Sequence, residues 1–146
     1  MTNKLTLILA VFMLALAIAA QAQPGGVQKR LKFPEFDRAT GRIKSMLTGE
    51  KAVRAKNGGL LLTGARLETY QYHRNKRIVD LIIEAPKCLF SFRTRIASSD
   101  GSVTLRRADG EAALSGRGFE WSQREATLVI FNEVRTVTKK GFSVNE

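Results

Sequence analysis

The chain has 146 residues, of which 24 are Lys or Arg and 13 are Asp or Glu, so its formal net charge at pH 7 is +11. This length accommodates one domain and is too short for two. A single cysteine excludes an intramolecular disulfide and a metal site built from several thiolates.

The first 22 residues have the layout of a secretory signal peptide. Lys4 gives the start a positive charge, residues 5–20 are almost entirely apolar, and Ala20-Gln21-Ala22 has the small residues that signal peptidase recognises. This apolar run is shorter than the roughly 20 residues that span a bilayer. We therefore predict cleavage after Ala22 and a periplasmic location. The alternative is a segment retained as an inner-membrane anchor.

The rest of the chain is expected to form one domain. We divide it into a flexible N-terminal segment (23–32), a β-domain (33–140) and a C-terminal tail (141–146). Its basic character points, in an exported protein, to anionic envelope components such as phosphorylated glycolipids or lipid head groups rather than to nucleic acid. Charge that serves only solubility is the alternative.

The tripeptide Leu-Ser/Thr-Gly occurs three times, as Leu47-Thr48-Gly49, Leu62-Thr63-Gly64 and Leu114-Ser115-Gly116. Glycine permits the sharp turn or bulge that redirects a chain at the end of a strand. We interpret each copy as the start of a strand, with the leucine packed inside and the glycine at the corner. Chance repetition of common residues is the alternative.

The segment Lys87–Ile96 has the clearest strand periodicity in the chain. Successive side chains of a strand point to opposite faces, so the segment would have one apolar and one basic face. The apolar face holds Cys88, Phe90, Phe92, Thr94 and Ile96, and the other holds Lys87, Leu89, Ser91, Arg93 and Arg95. We predict a half-buried strand here, with Cys88 buried as a small apolar side chain.

Turn signals divide the remaining chain into short strands. Asn57-Gly58, Asp100-Gly101 and Asp109-Gly110 are dipeptides typical of two-residue hairpin turns, and Arg74-Asn75-Lys76 is a polar break. Residues 127–131 are apolar on both faces, and we favour Leu128 and Ile130 as the inward pair. With no helical pattern, this spacing predicts an all-β sandwich, jelly roll or barrel.

Catalytic signals are weak, and we predict that the protein is not an enzyme. His73 is the only histidine and lies beside a turn, and no serine stands in a nucleophile-elbow motif. We expect no metal and no cofactor. The alternative is a periplasmic hydrolase with a polar cleft around His73 or with paired carboxylates.

The order and spacing of several segments resemble the periplasmic lipopolysaccharide-transport proteins of the LptC and LptA (OstA-like) family. The start of the exported chain, Phe33-Pro34-Glu35-Phe36-Asp37, resembles the start of that family's domain. The likeness continues through residues 47–52, 83–86, 97–103 and 114–121 and the strand that ends near Val137. It covers essentially the whole chain after the signal segment.

This resemblance implies a V-shaped β-jellyroll (a β-taco) of stacked antiparallel strands, placed after the N-terminal signal segment. In the family, the apolar groove between the facing sheets holds lipopolysaccharide acyl chains. Open edge strands pair with neighbouring jellyrolls, forming a bridge from an inner-membrane ABC transporter toward the outer membrane. The start of the chain resembles LptC and its signal resembles LptA, so both roles within such a bridge stay open.

Combining the strand parities with this resemblance gives a set of candidate ligand-binding residues. The expected lining of the acyl groove is Leu67, Leu81, Ile83, Phe90, Phe92, Val103, Leu105, Phe119, Trp121, Leu128 and Ile130. Arg93 and Arg95 are candidates for contact with anionic head groups, because Arg pairs bidentately with phosphate. The alternatives are ordinary core residues, a solvated basic face, and an adaptor that binds no lipid and acts only through edge pairing.

Overall fold

The protein is all-β in a computed structural model that describes residues 26–139, which confirms the predicted fold class. The strands are β1 (Gln28–Phe36), β2 (Ile43–Arg54), β3 (Leu60–His73), β4 (Lys76–Ser91), β5 (Ile96–Arg107), β6 (Ala112–Ser122) and β7 (Thr127–Thr138). Within this part of the chain, no helix is long and apolar enough to cross a membrane. The predicted signal segment and residues 140–146 lie outside the described residues.

The seven strands form one antiparallel sheet in chain order, from β1 at one edge to β7 at the other. β1 begins at Gln28, ahead of the residue 33 at which we placed the start of the domain. Asn57-Gly58 connects β2 to β3, where Ala55 N donates to Gly59 O at 2.8 Å. Asp109-Gly110 connects β5 to β6. Both positions agree with the predicted turns.

Most strands are interrupted near the middle, and these interruptions align across the sheet. The β1–β2 register omits Arg30 and Glu50, and the β3–β4 register omits Gly64 and Pro86. Similar breaks separate β4, β5, β6 and β7 from one another. Together these positions form a fold line at which the strands bend. It runs through Arg30, Glu50, Gly64, Pro86, Gly101, Gly116 and Glu133.

The fold line divides the sheet into two limbs that face each other. The upper limb contains residues 51–63, 87–99 and 117–132, and the lower limb contains residues 31–49, 65–85 and 102–115. The rings of Phe33 and Phe90, from different limbs, have centroids 5.0 Å apart. A flat sheet would place β1 and β4 about 14 Å apart. The sheet is therefore folded over as a V.

A single apolar core lies between the limbs. Leu47, Leu67 and Ile83 are directly opposite one another on β2, β3 and β4, so their side chains share the inner face. The core comprises Leu47, Ala52, Leu60, Leu62, Ala65, Leu67, Ile83, Ala85, Cys88, Phe90, Ala97, Val103, Phe119 and Trp121. Both limbs contribute to it, which makes limb closure the main source of burial.

The prediction of one continuous strand over Lys87–Ile96 is wrong in its second half. β4 ends at Ser91, residues 92–95 form a turn, and β5 begins at Ile96. Arg95 N donates to Ser91 O at 2.8 Å, and Arg95 has a φ of 59°. The turn nevertheless contains an apolar residue, because the ring of Phe92 packs against Phe33 of the opposite limb.

Two other predictions from turn chemistry need correction. Asp100-Gly101 lies inside β5 at the fold line, where it forms an irregularity rather than a hairpin turn. The repeated glycines Gly49, Gly64 and Gly116 are likewise inside strands, not at their starts. A Cβ at position 64 would lie 2.6 Å from Glu50 Cδ, and Gly64 has a φ of 62°. The repeat therefore lies along the bend of the sheet.

Candidate functional site: the limbs and the fold line

Most of the predicted groove residues lie on the inner face. Six of them, Leu67, Ile83, Phe90, Val103, Phe119 and Trp121, are buried in the core. Leu105, Leu128 and Ile130 are half-buried and pack against that core. Val129 and Phe131 are exposed, which agrees with an inward orientation of Leu128 and Ile130. Leu81 is half-buried, outside the cluster, beside the β3–β4 register shift.

Phe92 lies in the turn between β4 and β5 rather than on a strand, and it is 48% exposed. Its ring nevertheless contacts Phe33 and Phe90, with centroids 5.4 Å apart in both cases. The three rings form an aromatic cluster where the ends of the two limbs meet. Phe92 therefore covers the end of the V that lies opposite the fold line.

Arg95 is bound to the opposite limb. Its guanidinium forms an ion pair with Glu35 at 3.0 Å and donates to Pro34 O at 2.7 Å. Gln123 Nε2 donates to Phe33 O at 3.1 Å, and Lys44 Nζ donates to Arg124 O at 2.7 Å. We call these four cross-limb contacts the limb latch.

Of the two arginines that we predicted as head-group contacts, one belongs to the latch and the other does not. Arg95 is mostly buried and uses Nε and Nη2 on Glu35 and Pro34, because the turn directs it across the V rather than outward. Arg93 is exposed, and its backbone oxygen accepts a hydrogen bond from Arg124. Sequence periodicity placed both on one outer strand face, whereas the turn points them in different directions.

The space between the limbs is nearly filled by side chains. The remaining gap has a volume of about 10 Å³ and is lined by residues such as Leu67, Ile83, Phe119 and Trp121. This is about the space of one water molecule and is far below the volume of an acyl chain. The interior is therefore closed in this conformation, which the adaptor alternative predicts.

A much larger hollow of about 640 Å³ lies along the fold line. Small and apolar residues from neighbouring strands contribute to it, namely Leu31, Gly49, Ala65, Ala85 and Val103. Charged residues also line it, namely Arg30, Lys32, Glu50, Arg66 and Glu84. Ala65 and Ala85 line the interior gap as well, so the hollow and the gap are adjacent. A volume of this size is typical of small-ligand sites.

Sequence reasoning missed this hollow because small residues give no apolar signal. Gly49 and Ala65 are paired in register, as are Ala65 and Ala85, so three small residues lie side by side on adjacent strands. Larger residues there would fill the space. The repeated Thr-Gly in β2 and β3 was the available signal, since both glycines line the hollow.

The charges around the hollow differ in availability. Arg66 is engaged by Glu68 at 2.9 Å and by Glu84 at 2.6 Å. Arg30 and Lys32 are exposed, and neither forms an ion pair within residues 26–139. These two side chains are the cations that an anionic ligand could reach.

Cys88 is buried in the core, as predicted, and burial raises the pKa of its thiol to about 12. Only the thiolate reacts rapidly with disulfide reagents. At about pH 8.5 an ordinary thiol is about half ionised, so we expect no rapid labelling of the native protein by an aromatic disulfide and complete labelling after unfolding in denaturant. The absorbance of the released thiolate measures both. Rapid native labelling would show that the limbs open at Cys88.

The described residues hold no metal-binding group. Within residues 26–139, no three His, Cys, Asp or Glu side chains are placed so that they could hold a metal ion. His73 is exposed at the end of β3 beside the Arg74-Asn75 turn. It is the residue that the hydrolase alternative places in a polar cleft.

Comparisons with solved structures give distant structural likenesses. No family model and no curated protein matches this chain. Among solved structures, the chain is similar to LptH from Pseudomonas aeruginosa, described as the LptA-homologous periplasmic component of the lipopolysaccharide transport device. The identity is 14% and the TM-score 0.47, over 81% of this chain and 96% of that one. At these values we base no conclusion about function on the likeness.

Proposed function

We propose that this protein is a non-catalytic periplasmic carrier that binds an acylated anionic amphiphile of the lipopolysaccharide class and takes part in its export. The observation that carries the proposal is the fold-line hollow, which combines an apolar lining with two cations, Arg30 and Lys32, that form no ion pair within residues 26–139. The resemblance of the sequence to the lipopolysaccharide-transport family supports the same class of ligand.

The chemistry of the hollow fits both ends of such a ligand. Burial of a methylene group contributes about 0.8 kcal/mol, so a short acyl segment on the accessible apolar lining, Leu31 and Pro86, would bind favourably. Phosphate on the head group would pair with Arg30 or Lys32 through charge-assisted hydrogen bonds. Neither interaction requires a reacting group.

Deeper binding would require the limbs to part. The buried candidates Leu67, Ile83, Phe90, Phe119 and Trp121 line the closed interior, and an acyl chain could contact them only after the latch opens. The latch consists of a few polar contacts, whereas the fold line is continuous backbone. Opening at the limb ends would break the latch and expose the apolar core between the limbs, but it would leave the fold line intact.

The edges of the sheet could join this protein to partners in the same bridge. Among residues 26–139, β1 and β7 have no neighbour on their outer sides, and unpaired edges are templates for strand addition. β7 also exposes Val129, Phe131, Val134 and Val137. We propose that other jellyroll proteins pair with these edges and that an inner-membrane ABC transporter supplies the energy.

A second candidate function is an envelope adaptor that pairs through its edges and carries no lipid. The 10 Å³ interior favours it, because an adaptor needs no room between its limbs. The two candidates differ in one measurable property, the presence of bound lipid.

Loosening the latch should increase lipid loading. Glu35→Gln keeps the size of the side chain but removes its charge, which weakens the pair with Arg95 by about 1 kcal/mol. The open population should then rise about fivefold, as should the fraction of gently purified protein that carries acylated lipid. Native mass spectrometry measures that fraction.

Glu125→Gln is the matched control, because Glu125 is exposed and belongs to no ion pair within residues 26–139. It should leave lipid loading unchanged. Absence of lipid from both the wild-type protein and Glu35→Gln would overturn the carrier function and favour the adaptor. A photo-crosslinker at Phe90 or Phe92 that captures no glycolipid in cells would overturn the interior groove alone.

A further inference from the structure

The tip of the β3–β4 hairpin concentrates positive charge. His73, Arg74, Lys76 and Arg77 lie within five residues, and no acidic residue occurs from Thr69 to Val79. Arg74, Lys76 and Arg77 are exposed, and none of them forms an ion pair within residues 26–139. Neither the hollow nor the limb latch uses these charges.

The hairpin projects beyond the strand next to it in the sheet. Residues 70–73 pair with residues 76–79, and the last register pair between β4 and β5 joins Leu81 to Arg107. At about 3.3 Å per residue, Asn75 in the turn lies about 20 Å along the strand from that point. The hairpin therefore extends past the end of its pairing with β5.

The turn between β1 and β2 extends the same surface. Arg42 donates to Asn75 Oδ1, and its guanidinium lies 4.9 Å from the centroid of the Tyr72 ring. Asp37, the acidic residue of that turn, accepts hydrogen bonds from Ala39 N, Thr40 N and Thr40 Oγ1. We call the combined cations Arg38, Arg42, Arg74, Lys76 and Arg77 the basic tip.

Aromatic and apolar side chains accompany these cations. Arg77 lies 4.6 Å from the centroid of the Tyr70 ring, and Tyr72 donates to Ile43 O at 2.8 Å. Both tyrosines of the chain are thus in the hairpin. Ile78 is 46% exposed on the hairpin, and Phe36 is 51% exposed beside the neighbouring turn. Cations, tyrosines and exposed apolar residues together are characteristic of membrane–water interfaces.

The turn between β3 and β4 places Arg74 at the end of the hairpin, and the backbone of Arg74 has an unfavourable conformation there. Arg74 and Asn75 have φ values of 48° and 65°, as in the two-residue turn that strongly favours Asn-Gly. A bulky residue in the first position is strained. A site that holds a long cation in that conformation points to a use for its charge.

We propose that the basic tip docks this protein on the surface of an anionic lipid bilayer. The cations would lie among the phosphates, with Tyr70 and Tyr72 at the level of the head groups and Ile78 and Phe36 in contact with the acyl boundary. A tip that combines cations, tyrosines and exposed apolar residues suits a lipid surface, which offers phosphates and an acyl boundary side by side. The proposal does not depend on the carrier function, because the tip is separate from the hollow and the latch.

Co-sedimentation with vesicles tests the proposal. The full exported protein should bind vesicles of equal parts phosphatidylglycerol and phosphatidylcholine, should not bind phosphatidylcholine alone, and should be released by roughly 0.5 M NaCl. The triple variant R74Q/K76Q/R77Q should lose about a hundredfold in partitioning, at about fivefold for each cation near the surface.

The matched control is K51Q/R54Q/K56Q, which removes three exposed cations from the opposite end of β2 and from the turn that follows. It lowers the net charge equally and should weaken binding less than about fivefold. Equal losses in the two variants would mean that net charge alone drives binding and would overturn the proposal. Unchanged binding of the hairpin variant, or binding only to an acidic protein or nucleic acid, would also overturn it.

A fluorescence measurement locates the contact independently. An environment-sensitive dye on Lys76→Cys should shift to shorter wavelength when anionic vesicles are added, and the same dye on Lys56→Cys should not. The buried Cys88 would stay unlabelled in the native protein. A shift at position 56 alone, or at neither position, would contradict docking through the tip.

Discussion

Replacing Phe90 with alanine should lower the free energy of unfolding by about 3–5 kcal/mol. Phe90 is fully buried, and its ring contacts Phe33 from the opposite limb and Phe92 from the adjoining turn. Arg95 of the latch also lies over this ring, at 5.7 Å from its centroid. The substitution therefore removes a large apolar contact between the limbs. Urea unfolding followed by tryptophan fluorescence of the buried Trp121 measures the change.

Phe131→Ala is the control with the same chemical change. Phe131 is 58% exposed on the edge strand β7, so its truncation should cost less than about 1 kcal/mol. Equal destabilisation by the two substitutions would show that Phe90 does not hold the limbs together. If Phe90→Ala lowers the free energy of unfolding without changing its slope against urea concentration, the native state of the variant stays compact.

Replacing Gly116 with alanine should destabilise the protein by about 1–3 kcal/mol, because the fold line has no room for a side chain there. A Cβ at this position would overlap Ile130 Cγ2 and would lie 3.0 Å from Asn132 O. Ile130 is β-branched and packs against the core, so it cannot move aside freely. The midpoint of thermal unfolding measures the effect.

Gly101→Ala is the matched comparison on the same line. A Cβ there would meet only Ser99 Oγ, at 3.3 Å, and its effect should stay within about 0.5 kcal/mol. If Gly116→Ala destabilised the protein as little as Gly101→Ala, β6 and β7 could not approach each other at the bend as closely as described. The interpretation of the Leu-Ser/Thr-Gly repeat as a marker of the bend would then fail for its third copy.

Strand alternation predicted the inner face well and the strand ends poorly. Phe90, Val103, Phe119 and Trp121 are buried as their parity indicated, because burial of one face imposes a period of two wherever a strand is straight. The same period continues from Ser91 into the turn at residues 92–95, where packing of Phe92 against Phe33 of the other limb, rather than strand geometry, accounts for the apolar side chain. Periodicity alone cannot distinguish those two causes.

The candidate site was harder to predict than the fold. Arg93 and Arg95 share a parity, yet Arg95 crosses to Glu35, a residue 60 positions earlier, and Arg93 is exposed. The fold-line hollow is lined by the small residues Gly49, Ala65 and Ala85. Their size indicates a hollow only when the pairing of the three strands that carry them is known. Both features depend on pairings between distant segments, which a single sequence does not specify.

The amino-acid sequence by itself determined the class of the fold, the burial of Cys88 and the positions of the hairpin turns at Asn57-Gly58 and Asp109-Gly110. These properties depend on local rules of side-chain alternation and backbone conformation. Only the tertiary structure decided that the repeated glycines lie inside strands, that the aligned interruptions bend the sheet into two limbs, and that Arg95 latches them. A glycine favours a turn and a bulge equally, and the choice between them depends on which strands pair across it.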